Sequence, residues 1–432
     1  MKKFMIILVS ILLASSAEAL PSRYDLRENG YITSVRNQGI PGPCWAFAAL
    51  GSMESSYLVQ HLNTDKKKPD LSEMQLAFYT YKGPNPEKNF TPRHSSGTLS
   101  LEGNSFKAIA FLSRLAGPTD EKILPYTTTI AYEQRQALAK KAPESYKRTM
   151  RLHDAYFLSG QTTIPVEKRK ELIMKHGAIA VSIYSDIFKY KIKGKYFTYF
   201  NNSEGTKTDH EVLLAGWDDN FPRDRFSPKP SQNGAWLVKN SWGTMRGHNG
   251  GYFWTPYEQF MKGGTAFIAA KNNSRLKHYG YDDLGFCSSV NYSWGANVFK
   301  ISSKREQLKE AAFYTPSNNS SYEVYVYSLG KKVPSSPVSG KLLSSVKGVK
   351  EFAGYHTIEL PERLLLLNEG EYFSVVLKLS GGFMPVETRF DNYSENARVN
   401  EKESYFSRDG KTWTDGIKIN ANPCIKAFTE LF

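Results

Sequence analysis

The sequence predicts an α+β chain that ends in an all-β sandwich, and three observations carry that prediction. Residues 35–49, V-R-N-Q-G-I-P-G-P-C-W-A-F-A-A, are a Gly- and Pro-rich loop running into an apolar, alanine-rich helical pattern that begins at Cys44. Residues 208–217, T-D-H-E-V-L-L-A-G-W, form a short apolar run of the kind that enters a core as a strand. From about Lys271 onward, short alternating runs are separated by Asn, Ser, Gly and Pro clusters, the texture of two packed antiparallel sheets.

At 432 residues the chain exceeds one ordinary hydrophobic core, so two domains are expected behind a leader. Lys2 and Lys3 precede the apolar run 4–14, and Ala17-Glu18-Ala19 fits the small-residue pattern of signal peptidase cleavage. The expected organisation is a signal peptide over 1–19, a first domain over 20–272 and a β-sandwich over 273–432. The apolar run is too short to span a bilayer and no later stretch comes close, so no transmembrane anchor is expected. The expected location is outside the cytoplasm: secreted, periplasmic or at the cell surface.

The formal net charge is +14, and almost all of the positive excess lies before residue 273. Such a field favours acidic partners or an anionic cell surface by long-range steering. Nucleic acid is excluded as a partner, because the basic residues are scattered and no reading motif accompanies them.

Of the three cysteines, Cys44, Cys287 and Cys424, an odd count in an exported chain leaves at least one thiol unpaired. Cys44 sits where a helix begins, and the free N–H groups and dipole of a helix N-terminus favour a thiolate, the attacking species. Gln38, six residues upstream, can turn its amide toward the same point and join the Cys44 N–H in an oxyanion hole. An isolated cysteine beside Trp and Phe is more often a small buried hydrophobe, and the neighbours of Cys44 are what overturn that reading.

The block V-R-N-Q-G-I-P-G-P-C-W-A-F resembles the nucleophile block of papain-like cysteine peptidases, which are among the standard examples of a cysteine signature. Glu54-Ser55, then Leu71-Ser72-Glu73-Met74-Gln75-Leu76, then Glu102-Gly103 and Pro125-Tyr126 follow in the family's order. The resemblance implies a two-part catalytic domain, a helical half carrying Cys44 and a β-barrel-like half carrying the base. Of eight histidines only His210 has the matching context, and W-L-V-K-N-S-W-G over 236–243 resembles the block whose asparagine, here Asn240, orients the imidazole. The His and Asn of the family lie roughly 130–150 residues after the Cys. Here the separation is longer, which implies surface insertions at 83–97, in the Lys/Arg-rich helical stretch around 131–150 and in the loop 218–232.

The resemblance further places Gly103, Asn104, Ser105, Ser182, Thr208 and Asp209 along the substrate cleft, with Trp242 and Arg246 on the leaving-group side. The pocket for the second residue before the scissile bond is thereby more polar than the family's usual wall. The family's disulfide beside the nucleophile is missing at both ends, at Pro41 and Tyr79. No metal or organic cofactor is implied. The recognisable mature start at Leu20 directly follows the leader, so export itself is expected to yield competent enzyme.

In the last third, strands are expected at 297–301, 311–315, 323–328, 356–360, 372–379 and 424–429, with a helical period at 303–312. The pattern resembles the lectin-like domain appended to some prokaryotic papain-like peptidases, which implies glycan or cell-surface attachment, with Trp294 and Trp413 as candidate stacking platforms. Cys287 and Cys424, near the two ends of the domain, are expected to pair as a disulfide. The function expected from the whole is an exported thiol endopeptidase acting on proteins and peptides. The alternative is a surface-binding adhesin that uses the peptidase fold as scaffold.

Overall fold

The computed structural model describes residues 19–431 except 40–41, 64–66, 81–102, 129–133, 135–136, 139, 159–163, 203–206, 245–248, 362–365 and 392. The leader, the expected insertion at 83–97, Pro41, Glu102 and Arg246 therefore lie outside the described residues.

Among the described residues, the helices of the first domain include α1 (Cys44–Val59), α2 (Glu73–Tyr79), α3 (Ser105–Ser113) and α4 (Val166–His176). Helix α1 is buried on nearly every side from Trp45 to Ser56, as its all-round apolar and small-residue sequence requires. It packs against the strands Ile179–Ile183, His210–Asp218 and Lys262–Lys271. Its serines are spent on those strands: Ser52 Oγ donates to Ala178 O at 2.6 Å, and Ser56 Oγ accepts from Ala269 N at 3.2 Å. Ser72 caps α2, accepting from Gln75 N at 3.0 Å. Tyr79, where the family disulfide is missing, is fully buried and donates from its hydroxyl to Leu138 O at 3.0 Å.

The strand His210–Asp218 lies centrally in the β half, antiparallel to Ile179–Ile183 on one side and Ala235–Lys239 on the other. Ile183 pairs with His210 and Leu213 with Lys239, so the start of one strand and the end of the next deliver His210 and Asn240 to the same edge. The loop 218–232 is more than a surface addition, because Phe221 and Phe226 are buried in the core. In 131–150, the described residues include a 3₁₀ turn at Pro143–Ser145 and a core strand starting at Met150.

The last third is a sandwich. One face is a six-stranded sheet in the order Lys341–Lys350, Ser320–Gly330, Tyr372–Leu379, Trp294–Lys300, Ser404–Ser407, Thr414–Asp415. The other face is built from Leu276–Tyr279, Ile425–Leu431, Arg305–Thr315 and Ala353–Glu359. Phe299, Leu308, Phe313, Val324, Phe373 and Ile425 fill the space between.

Two expectations for this region are corrected. The stretch 303–312 is not helix but enters the strand Arg305–Thr315, because its helix-favouring charges find partners across the sheet. Glu306, wholly buried, accepts from Tyr279 Oη at 2.8 Å, Lys277 Nζ at 3.0 Å and Thr429 Oγ1 at 2.5 Å, which outweighs local propensity. Cys287 and Cys424 are free thiols. The strand Met384–Thr388 runs between them, since Cys287 N donates to Val386 O and Cys424 N to Pro385 O. Two strand spacings amount to about 9–10 Å, beyond the ~7 Å Cα reach of a disulfide. Alkylation of the unfolded, unreduced protein is accordingly expected to add three labels by intact mass, and a single label would contradict this arrangement.

The two halves share one sheet. Strand Ala353–Glu359 of the sandwich pairs with Met150–Phe157 of the first domain, Gly354 opposite Tyr156, making one sheet of fourteen strands among the described residues. Gly354 has φ +146°, and a Cβ there would stand 2.0 Å from Ala155 O, so the junction closes only on glycine. Beside it Arg151 and Glu310 form a buried two-point ion pair at 2.8 and 2.6 Å, and Asp154 Oδ1 accepts from Thr357 N at 2.7 Å.

Candidate active site

A cleft of about 900 Å³ runs between the helical and β halves, and Cys44, Gly103, Asn104, Ser105, Ser182, Thr208, Asp209 and His210 all line it. The opening turn of α1 puts Cys44 there. Pro43 at φ −79°, ψ 69° makes an inverse γ-turn in which Cys44 N donates to Gly42 O at 3.0 Å. The chain thereby enters the helix at a sharp angle with the thiol at the lip of the cleft. Sγ accepts from Glu211 N at 3.4 Å, which ties the nucleophile to the residue after the histidine.

His210 is buried, and its Nε2 meets Asn240 Oδ1 at 2.8 Å. Asn240 Oδ1 also accepts from Ser241 N at 2.8 Å, which holds the side chain, and the Asn240 backbone N donates to Gly251 O, which holds the main chain. An amide oxygen on Nε2 favours the tautomer protonated there and leaves Nδ1 for proton exchange. Trp242 stacks on the imidazole, centroids 4.8 Å apart and planes 22° apart, shielding the His210–Asn240 bond from water. On its other side Trp242 lines a second pocket with Ile187, Tyr190, Phe197 and Phe253.

Gln38 lies beside the same turn. Ser241 Oγ donates to its Oε1 at 2.5 Å, which fixes the amide's orientation, and Nε2 donates to Gly42 O at 3.3 Å. The side-chain N–H of Gln38 and the backbone N–H of Cys44 thus converge on one carbonyl oxygen, the arrangement that two donors to a single anionic oxygen require.

Electrostatics decide how the thiol is activated. Burial pushes Cys44 up to about 11 and pushes His210 down. Backbone N–H groups of Glu211 and Trp45 oppose the first shift, and the Asn240 hydrogen bond opposes the second. The helix N-terminus alone therefore does not supply a thiolate here. Both groups line one cleft, and an opposite charge on a neighbouring group offsets the burial penalty that each would meet alone.

The pocket residues divide. Gly103 lies so close to Trp45 that a Cβ would fall 2.2 Å from the indole, so only glycine lets the backbone pass there. Asn104 is committed to capping α3, accepting from Lys107 N at 3.0 Å. Asp209 holds the opposite rim through Ser185 N at 2.7 Å.

Sequence reasoning missed two groups. Glu211 lines the cleft beside Ser182. Arg36 reaches Glu54 at 3.2 Å, Asp70 at 2.6 Å and Glu73 at 3.0 Å beneath the site, joining α1, α2 and the nucleophile loop. For Glu211 the signal was a charge at the head of an otherwise apolar run, and for Arg36 it was a cation in the loop before the nucleophile.

Two family descriptions match the chain, "Papain family cysteine protease" over residues 20–268 and "Lectin like domain" over residues 278–429. Among curated proteins, a probable cysteine protease of Arabidopsis thaliana, RD19C, is 29% identical over 238 residues, 54% of this chain and 56% of its own length. The viral cathepsin of Spodoptera litura multicapsid nucleopolyhedrovirus is 31% identical over 245 residues, 56% of this chain and 59% of its own. The chain thus spans little more than half the length of these relatives. Among solved structures, the cysteine protease and lectin-like domains of Cwp84, described as a surface layer associated protein of Clostridium difficile, superpose with a TM-score of 0.79 at 25% identity. They cover 95% of this chain and 89% of the other. A structure of Cwp84 after propeptide cleavage gives the same score and identity, covering 95% and 100%. With the catalytic match extending over more than half of its length, this chain belongs to the papain family of cysteine proteases.

Proposed function

We propose that this protein is an exported cysteine-type endopeptidase that hydrolyses peptide bonds through an acyl-enzyme on Cys44. The observation that carries the reading is the shared cleft: Cys44 and His210 on one surface, His210 held by Asn240 at 2.8 Å, and two donors converging beside the thiol. His210 takes the Cys44 proton, and Sγ attacks the scissile carbonyl carbon. The oxygen charge that develops is met by the Cys44 and Gln38 N–H groups, which exchange Gly42 O for the substrate. His210 then returns the proton to the leaving amine, and water deprotonated by His210 releases the acid. Trp242 and Asn240 keep the ring in register throughout, and Arg246 is assigned to the leaving-group side.

Export is supported by the leader-like residues 1–19 and by the description of Cwp84 as surface layer associated. Among the described residues no helix is long and apolar enough to cross a membrane. We assign the lectin-like half to attachment at glycans or an anionic surface. Trp294 is a poor platform for a sugar, because Tyr325 stacks on it at 5.8 Å and Gly410 packs within reach of its ring.

The test is labelling by an epoxide reagent directed at active-site thiols. Incorporation of one equivalent into the native protein and none into Cys44→Ala is expected. Equal labelling of the two removes the peptidase reading and leaves the adhesin alternative.

A further inference from the structure

The cleft contains a carboxyl group that peptide-bond hydrolysis does not use. Glu211 follows His210 at the start of the central strand. Its backbone N–H holds the Cys44 sulfur, while its side chain shares the cleft wall with Ser105, Ser182 and Thr208. Hydrogen bonding from Ser182 and Ser105 favours its ionised form, yet Oε2 is covered by protein and has no hydrogen-bond partner.

No cation answers this carboxyl group among the described residues. Lys262 lines the same cleft but is exposed at its rim and forms no ion pair with Glu211. Lys239 lines the small cavity behind Glu211, but its Nζ donates to Thr33 Oγ1 at 3.2 Å and the charges acting on it are Glu54, Arg36, Glu73 and Lys68. Burial without a counter-charge pushes Glu211 up to about 7. An acid with one unsatisfied oxygen on a substrate-sized cleft is costly to keep unless an incoming donor completes it.

We infer that Glu211 makes this pocket a receptor for a cationic side chain, lysine or arginine, at the second residue before the scissile bond of an extended peptide. The inference rests on the peptidase reading and names its substrate class. The walls agree with it. Ser105, Ser182 and Thr208 line the cleft with Glu211, and their hydroxyl oxygens offer lone pairs to a cation's remaining N–H groups. A neutral aliphatic side chain in the same place leaves the carboxyl group desolvated and unpaired, and a site of that kind rejects such a residue strongly.

The experiment compares kcat/KM at pH 8 for peptides differing only at that position, with lysine, arginine, glutamine or norleucine. Each is measured on native protein, Glu211→Gln and Glu211→Asp. Native protein is expected to favour lysine or arginine over norleucine by about tenfold or more. The ratio is expected to collapse to about twofold or less in Glu211→Gln and to persist in part in Glu211→Asp. Because each ratio is taken within one protein, changes in nucleophile reactivity cancel. A native preference for norleucine, or a cation preference that survives in Glu211→Gln, overturns the inference. The native comparison decides the matter even if a variant fails to fold. If the peptides are cleaved without cation preference and Cys44→Ala abolishes cleavage, the inference falls while the peptidase reading stands. If no peptide is cleaved and Cys44 does not label, both fall together.

Discussion

Replacement of His210 by alanine is expected to lower kcat/KM for a peptide substrate by about 10⁴-fold or more at pH 7. The residual rate should rise nearly tenfold per pH unit. The reason is the buried thiol: pushed up to about 11, Cys44 without its imidazole is ionised to about one part in 10⁴ at pH 7. The leaving amine also loses its proton donor. The sign follows from the direction of the shift, since a raised thiol regains its anion only as pH climbs toward its own value. Cys44→Ala should show no such recovery. Asn240→Ala, which leaves the base present but unoriented, should fall between native protein and His210→Ala. A His210→Ala rate that is flat between pH 7 and 10 would show that the thiolate is supplied by something other than the imidazole.

The second large effect is on stability. Glu310→Ala is expected to cost about 3–5 kcal/mol, because among the described residues the Arg151 side chain bonds to Glu310 alone and would be left buried with an unpaired charge. Both partners sit beside irregularities in their strands, at Leu152/Asp154 and Leu308/Glu310, which turn them toward each other at the junction of the halves. Replacing the pair together, Arg151→Met with Glu310→Leu, should recover most of the loss, since the penalty belongs to the orphaned charge. Chemical denaturation of the single and double variants measures both quantities. Equal destabilisation by the single and the double variant would assign the effect to packing.

These expectations draw unequally on what could be read before the fold was known. Cys44, His210, Asn240 and Gln38 were legible because each sits in a segment whose neighbours are dictated by the chemistry: a loop entering a helix, a strand entering the core, an amide after a strand. Cys44 and His210 line one cleft, while Asn240 bonds to His210 from behind and Gln38 bonds to the Gly42 carbonyl beside the thiol. Glu211 was passed over because, as the second residue of an apolar strand, its face depends on the pairing of Ile183 with His210, a long-range fact. The same limit explains 303–312, where helix-forming residues are held in a strand by partners in three other segments. It also explains the disulfide: Cys287 and Cys424 lie near the two ends of the domain, but sequence separation does not show that a strand runs between them. Arg246, which depends on residues outside the described set, stays an assignment made from resemblance.

The pairing of Ala353–Glu359 with Met150–Phe157 bears on how such a protein is inherited. Joined modules usually meet through side chains across a linker, and either can be lost or exchanged with little harm to the other. Here each module supplies the other's missing neighbour strand, and separation would leave two unpaired backbone edges able to recruit foreign strands. A lineage that discards the lectin-like half must also invent a cover for Met150–Phe157. The pair is therefore expected to be kept or lost as a unit.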